Sequence, residues 1–141
     1  MRIVVAAFVL IAGCTSGTSA PITEITGTWG GDDAGLIATD STAHIHIGCT
    51  LGDTDSPIHP ASDGAFTSNG TYNVDAFPID RGITHPARFA GRIDGDKMTL
   101  SVTLTDTGQQ LGPVTLTRGK EPKMGPCPIC RKPGERRSPS S

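Results

Sequence analysis

The feature that most constrains the fold is a period-two alternation of apolar and polar residues between positions 87 and 118. The clearest strand in this stretch has four alternating apolar side chains, Met98, Leu100, Val102 and Leu104. This spacing places them on one face of a β-strand. The turn dipeptides Asp94-Gly95 and Thr107-Gly108 separate this strand from its neighbours. The stretch therefore predicts a three-stranded antiparallel meander.

Shorter β-type runs precede the meander: Ile25 to Trp29, Gly35 to Thr39, Ala43 to Thr50, and Ala65 to Val74, the last read as one strand or as two broken at Asn69-Gly70. We expect Gly30 and Gly31 to end the first run. Two long loops are predicted over Gly52–Gly64 and Asp75–Pro86. The inward side chains are mid-sized and aliphatic, so we expect a filled interior and binding at the surface through these loops.

Composition supports an all-β domain, because eighteen glycines, eleven prolines and six aromatic residues do not suit a helical bundle. The domain is predicted over residues 24–119. Its seven or eight strands must either close up or stack as two sheets, since one open sheet would leave an apolar face in water. Closure also removes the exposed sheet edges.

The sequence Gly27-Thr28-Trp29 resembles the Gly-x-Trp signature of the calycin barrels, the group that includes lipocalins, fatty-acid-binding proteins and avidins. The resemblance implies an antiparallel up-and-down barrel of seven to eight strands. It also implies that Arg118, at the end of the last strand, packs across Trp29 and closes the base of the barrel. Such a cation–π contact contributes about 0.5–2 kcal/mol, depending on its burial.

The N-terminal sequence resembles an export signal. A ten-residue apolar run, Ile3 to Ala12, is too short to span a bilayer, which requires about 20 residues. Ile11-Ala12-Gly13-Cys14 resembles a bacterial lipobox, which implies a signal peptide over residues 1–13, an acylated Cys14 and a tether over residues 14–23. Thr15 stands where an aspartate would favour the inner membrane, so the resemblance implies the periplasmic face of the outer membrane. The alternative is a soluble protein that is cut near Ala20.

The chain also resembles a group of uncharacterised small bacterial lipoproteins. The matching residues are Gly27 to Gly31, Cys49, Gly91-Arg92-Ile93, Met98-Thr99-Leu100, Leu111 to Gly119, and Cys127. We know of no activity for this group, so the resemblance implies the fold and the anchor alone. Where the group has two histidines, this chain has Asp33 and Leu51.

The charges are unevenly distributed. Glu24 to Gly119 contains twelve acidic and five basic residues, whereas Lys120 to Ser141 contains six basic and two acidic residues. Residues 120–141 are therefore predicted to form a flexible basic tail. This tail has no aromatic residues between its charges, so we expect no binding to nucleic acid. The expected partners are the lipid bilayer, through acylated Cys14, and a protein or small ligand, and the chain is expected to be a monomer.

If Cys14 is acylated, an odd number of cysteines remains in an oxidising compartment: Cys49, Cys127 and Cys130. Alternation in the third run predicts that Cys49 faces inward, so a bridge to Cys127 would hold the C-terminal segment against the barrel. Cys127 and Cys130 also have the C-x-x-C spacing of a redox motif or of half a zinc site.

His44 and His46 share one predicted strand face with the His-x-His spacing of metal ligands. The alternative is that both face solvent opposite the apolar side chains, and we expect no metal and no cofactor. Asp32 and Asp33 are adjacent and are expected to form a turn rather than a catalytic pair.

No pattern in the sequence predicts an enzyme. The predicted function is that of a non-catalytic, membrane-anchored binding module of the cell envelope. The alternatives are an inhibitor of an envelope hydrolase and a metal-dependent enzyme that uses His44 and His46.

Overall fold

The computed structural model describes residues 22–127. Its eight strands are β1 (Gly27–Gly31), β2 (Ala34–Ala38), β3 (Ala43–Ile47), β4 (Thr50–Thr54), β5 (Ala65–Asn73), β6 (His85–Asp94), β7 (Lys97–Leu104) and β8 (Gln110–Arg118). The predicted signal peptide, Cys14, Cys130 and most of the predicted tether lie outside these residues. Nowhere in residues 22–127 is there a helix of the length and apolar character needed to cross a bilayer.

The strands form a closed antiparallel barrel in which each strand pairs with the next in sequence. The seam between β1 and β8 closes it, with Trp29 opposite Arg118 and Gly30 opposite Thr117. The up-and-down barrel predicted from the sequence is therefore confirmed, with eight strands. The predicted meander corresponds to β6, β7 and β8.

Large side chains fill the barrel interior. The largest fully buried ones are Trp29, Tyr72, Phe89, Ile25, Leu36, Ile45, Ile58, Met98, Leu100, Leu104, Leu116 and Val102. Within residues 22–127, every buried side-chain nitrogen and oxygen atom has a hydrogen-bond partner. The interior is thus a packed core, as expected for a small eight-stranded barrel.

The barrel has two distinct ends. At the entry end, where β1 begins, lie residues 22–26 and the loop of residues 55–64 between β4 and β5. Ile25 and Ile58 are buried there, and the Ile25 N–H donates a hydrogen bond to the Ile58 carbonyl at 3.0 Å. At the far end lie the β3–β4 turn and the loop of residues 74–84 between β5 and β6. The two long loops therefore lie at opposite ends.

The predicted loop from Gly52 to Gly64 was wrong over its first residues, because Thr50–Thr54 forms β4. Gly52 suggested a loop, yet it lies opposite Tyr72 in the sheet, where a Cβ would overlap the Tyr72 ring. Absence of a side chain at this position allows close packing of the neighbouring strand.

Of the two interpretations of residues 65–74, the single strand is correct, because β5 continues through Asn69-Gly70. Two other local predictions need correction. Gly30 and Gly31 continue β1 instead of ending it. Cys49 does not face inward from a strand, because it lies half-buried in the turn between β3 and β4. Gly48 precedes it with a positive φ of 57°, a conformation that reverses the chain at low cost only for glycine.

Residues 120–127 form a strap along the outside of β1 and β2. Lys123 donates its N–H to the Gly31 carbonyl at 3.0 Å and accepts from the Asp33 N–H at 2.8 Å. The Gly125 N–H donates to the Asp33 carboxylate at 3.2 Å. The prediction of a flexible tail was therefore wrong for this segment, and residues 128–141 lie outside the described part of the chain.

Candidate functional site

The candidate site is on the outer face of β3, where His44 and His46 project from the same side of the strand. Their Nε2 atoms lie 2.9 Å apart. The ring centroids are separated by 4.8 Å and the ring planes meet at 69°. The predicted shared face is confirmed, but the rings are partly buried and contact each other instead of only facing solvent.

Asp53 belongs to the same cluster. It pairs with His44 across β3 and β4, and its Oδ1 atom lies 2.7 Å from His44 Nδ1. An ionised carboxylate only accepts hydrogen bonds, so His44 Nδ1 carries the proton. In the neutral form of His44, Nε2 is unprotonated and can accept a hydrogen bond from His46 Nε2–H. Hydrogen bonds thus connect the three side chains in series, from Asp53 through His44 to His46.

The electrostatics of the cluster favour the neutral form of His46. Burial lowers the pKa of His46, and the neighbouring His44 lowers it further, while Asp53 acts in the opposite direction. A neutral imidazole retains a nitrogen lone pair at neutral pH. The arrangement can therefore hold a proton between two imidazoles or present nitrogen ligands to a metal ion.

The strap borders this cluster. His44 and His46 line a shallow cavity of about 140 Å³ together with Ile37, Pro122 and Met124. Pro122 packs so closely on Gly35 of β2 that a Cβ on Gly35 would overlap the proline ring. Met124, two residues after Pro122, therefore lines the same cavity as the histidine pair.

Cys49 and Cys127 lie at disulfide distance, with their Cα atoms 5.4 Å apart. This contact joins the end of the strap to the β3–β4 turn, two residues after β3 ends. The strap is thus held at Asp33 by hydrogen bonds and at Cys49 by the sulfur pair. Cys130, the other half of the C-x-x-C spacing, lies outside the described residues.

The two adjacent acidic residues take part in structure. Asp33 has a positive φ of 55° in the β1–β2 turn, and its backbone carbonyl accepts from Gly48 N–H at 2.7 Å. Asp32 forms a β-bridge with Lys123 of the strap. Both residues therefore contribute backbone contacts around the turn predicted for them.

A second surface feature is the loop of residues 74–84 at the far end, which we call the apolar loop. It exposes three large apolar side chains: Phe77 at 42%, Ile79 at 57% and Ile83 at 51%. The Asp80 carboxylate accepts hydrogen bonds from the Asn73 side-chain amide at 2.9 Å and from the Gly82 N–H at 2.7 Å. These bonds tie the loop to the end of β5.

A groove of about 590 Å³ lies at the entry end and is lined partly by Asp63, Asp94, Asp96 and Arg118. Arg92 donates hydrogen bonds to both the carbonyl and the carboxylate of Asp63 at 3.0 Å. Arg118 also contacts the ring of Trp29. The basic residues here are engaged by groups of the barrel itself.

No group of three or more histidine, cysteine, aspartate or glutamate side chains within residues 22–127 is arranged to hold a metal ion. Comparison with known proteins finds no matching family, no matching curated protein and no matching solved structure. Inferences about function therefore depend on the geometry of this barrel and on its sequence.

Sequence reasoning missed Asp53 and Met124 as parts of a candidate site. It did predict surface binding through Asp75–Pro86, the segment that carries the exposed side chains of the apolar loop. Asp53 lies in the predicted loop Gly52–Gly64. A two-residue turn after β3, followed by a second strand, would have placed Asp53 opposite His44. No pattern in the sequence marks Met124 as a site residue, because it lies in the segment predicted to be a flexible tail.

Proposed function

We propose that this chain is a bacterial lipoprotein, anchored through acylated Cys14, that works as a non-catalytic binding module of the cell envelope. It contacts a protein partner through the apolar loop. The observation that carries this proposal is the contrast between a filled barrel interior and exposed apolar side chains at the far end.

The filled interior supports binding at the surface. Eight-stranded barrels either fill their interior with side chains or hold one small ligand there. Here Trp29, Tyr72 and Phe89 occupy the interior, with Tyr72 and Phe89 ring centroids 6.1 Å apart. Binding of a small ligand inside the barrel would require these rings to move.

The apolar loop has the properties of a contact surface for another protein. Phe77, Ile79 and Ile83 are each at least 42% exposed and lie within seven residues of one another. Clustered exposed apolar side chains, in contrast to scattered ones, mark interaction sites. The hydrogen bonds to Asp80 order the loop before binding, which lowers the entropic cost of association.

The position of the loop fits the proposed anchor. The chain enters the barrel at the entry end, so a lipid on Cys14 would hold this end nearer to the bilayer. The apolar loop lies at the opposite end and would face away from the membrane. The nine residues between Cys14 and Glu24 span at most about 30 Å, which allows the loop to reach a partner while the lipid stays inserted.

Site-specific photo-cross-linking in intact cells tests the proposal. A photoreactive amino acid replaces Ile79, and a matched control carries it at Asp40, an exposed position in the β2–β3 turn at the entry end. We expect a discrete protein adduct from position 79 and none from position 40. In the Phe77→Ser/Ile83→Ser background, we expect the adduct at position 79 to disappear while the barrel remains folded.

An equal adduct from positions 40 and 79, or an adduct that persists in the Phe77→Ser/Ile83→Ser background, would refute binding through the apolar loop. Absence of any adduct at position 79 would do so as well. The fold of each variant is checked by near-UV circular dichroism of Trp29.

A further inference from the structure

The histidine pair brings two potential ligand nitrogens close together. His44 and His46 are two residues apart on β3, so both side chains leave the same face of the strand. Their rings meet edge to face, and the atoms that approach each other most directly are the two Nε2 nitrogens, 2.9 Å apart. Since metal–imidazole bonds are about 2.0–2.1 Å long, two nitrogens at this separation are close enough to bind the same ion.

Asp53 orients the first of these ligands. Metal-binding histidines usually donate their second ring N–H to a carboxylate, which fixes the tautomer and makes the ligating nitrogen more basic. His44 already makes this bond, with its Nδ1 atom 2.7 Å from the Asp53 carboxylate. In its neutral form, His44 therefore presents an unprotonated Nε2. His46 reaches the same state when its proton moves from Nε2 to Nδ1.

The strap supplies a third donor of a different kind. Met124 lines the same cavity of about 140 Å³ as His44 and His46. The backbone on either side of Met124 is held on the barrel, because Lys123 and Gly125 are both hydrogen-bonded to Asp33. A thioether beside two imidazoles is a soft donor set, and soft sulfur ligands favour copper(I).

We propose that His44, His46 and Met124 form a copper(I) site on the outer face of the barrel, oriented by Asp53. Zinc is the poorer fit, because structural zinc sites are almost always four-coordinate and built from nitrogen, thiolate and carboxylate ligands. The part of the chain that the structure describes adds no third ligand of those types to the pair. Copper(I) accepts fewer ligands and binds thioethers.

The test is an anaerobic titration of the full-length, detergent-extracted protein with copper(I), in competition with the chromogenic chelator bicinchoninate. Free thiols are first alkylated without reduction, because a Cys130 thiolate alone would bind copper(I). The matched control is His85→Ala. His85 also pairs with a carboxylate, with its Nδ1 atom 2.8 Å from Asp106, but it lies on β6, away from the histidine pair.

We expect the wild-type protein and His85→Ala to hold about one equivalent of copper(I), and His44→Ala and His46→Ala to lose it. Asp53→Asn is expected to weaken the affinity by about 10–100-fold, the usual effect of losing such a carboxylate partner. Met124→Leu keeps the apolar contact and removes the sulfur, so it is expected to weaken copper(I) binding while leaving the weak binding of zinc unchanged.

Failure of the wild-type protein to hold stoichiometric copper(I) would overturn the proposal, as would unchanged binding in His44→Ala and His46→Ala. Equal copper(I) affinity in Met124→Leu and wild type would remove Met124 from the site. Near-UV circular dichroism separates loss of ligands from loss of fold. The proposed copper(I) site and the apolar loop involve different residues. The result of the copper(I) titration therefore does not depend on whether the apolar loop binds a protein partner.

Discussion

The guanidinium carbon of Arg118 lies 4.8 Å from the centroid of the Trp29 ring, and the two residues face each other across the seam between β1 and β8. Trp29 is fully buried, and its indole N–H donates to the Thr26 carbonyl at 3.2 Å. The first and last strands are thus joined by a side-chain contact as well as by backbone hydrogen bonds. This contact closes the barrel near its entry end.

Replacing Arg118 should weaken this closure. Arg118 is exposed, so we expect Arg118→Ala to lower the free energy of unfolding by about 0.5–1 kcal/mol, the range for a cation–π contact at an exposed site. Urea unfolding followed by the fluorescence of Trp29 measures this loss. The matched control is Arg88→Ala, at an exposed position of β6. Equal losses in the two variants would contradict a specific role for Arg118.

The sulfur pair of Cys49 and Cys127 should stabilise the barrel and hold the strap. The two residues are 78 positions apart, and a bridge over such a long loop typically contributes about 2–4 kcal/mol, chiefly by restricting the unfolded chain. We expect Cys49→Ser/Cys127→Ser to lose that amount and to become sensitive to trypsin at Lys120 and Lys123. Cys130→Ser is the control. Unchanged resistance of the strap to trypsin in the double variant would contradict this account.

Gly30 should be intolerant of a side chain because the strap crosses it. A Cβ at this position would overlap the backbone of Lys120 and Glu121. We expect Gly30→Ala to destabilise the protein by about 1–3 kcal/mol, the usual cost of overpacking. In Gly125→Ala, by contrast, the new Cβ would meet only the Asp33 carboxylate at 3.4 Å, so the expected cost is smaller. Thermal unfolding of both variants tests whether Gly30→Ala is more destabilising than Gly125→Ala.

Asp63 should make stability depend on pH at acid pH. The Ala65 N–H foremost, together with Arg92, holds the pKa of Asp63 below its ordinary value of 3.8. A lowered pKa in the folded state contributes stability above pH 3.8 that is lost as the pH falls through the folded value. We expect Asp63→Asn to lower the urea midpoint at neutral pH and to match the wild type well below pH 3.8. A difference that is independent of pH would contradict this origin.

Several elements could be predicted from the sequence because their side chains alternate with few interruptions. β7 corresponds closely to the alternation around Met98 and Leu104, and the turn before it falls at Gly95, whose φ is positive. β4 was missed because Gly52 suggests a turn in sequence, whereas in the barrel it allows Tyr72 to pack closely. The close contact involves residues 20 positions apart, which a local pattern does not reveal.

The strap could not be predicted for a related reason. Its charged and proline-rich composition is typical of a solvated tail, but backbone hydrogen bonds to Gly31 and Asp33 hold it on the barrel. Backbone groups are the same in every sequence, so composition gives no sign of this docking. Met124 therefore joined the histidine pair only in the folded structure. His44 and His46 were identified because strand alternation alone places them together.

The most direct test of the central claim, an envelope module anchored by lipid, is the intact mass of the membrane-extracted protein before and after reduction and alkylation. We expect a chain that begins at Cys14 and carries a diacylglycerol and an acyl chain, with one alkylatable thiol before reduction and three after it. An unlipidated chain that begins near Pro21 would contradict the anchor, and with it the argument that the apolar loop faces away from a membrane.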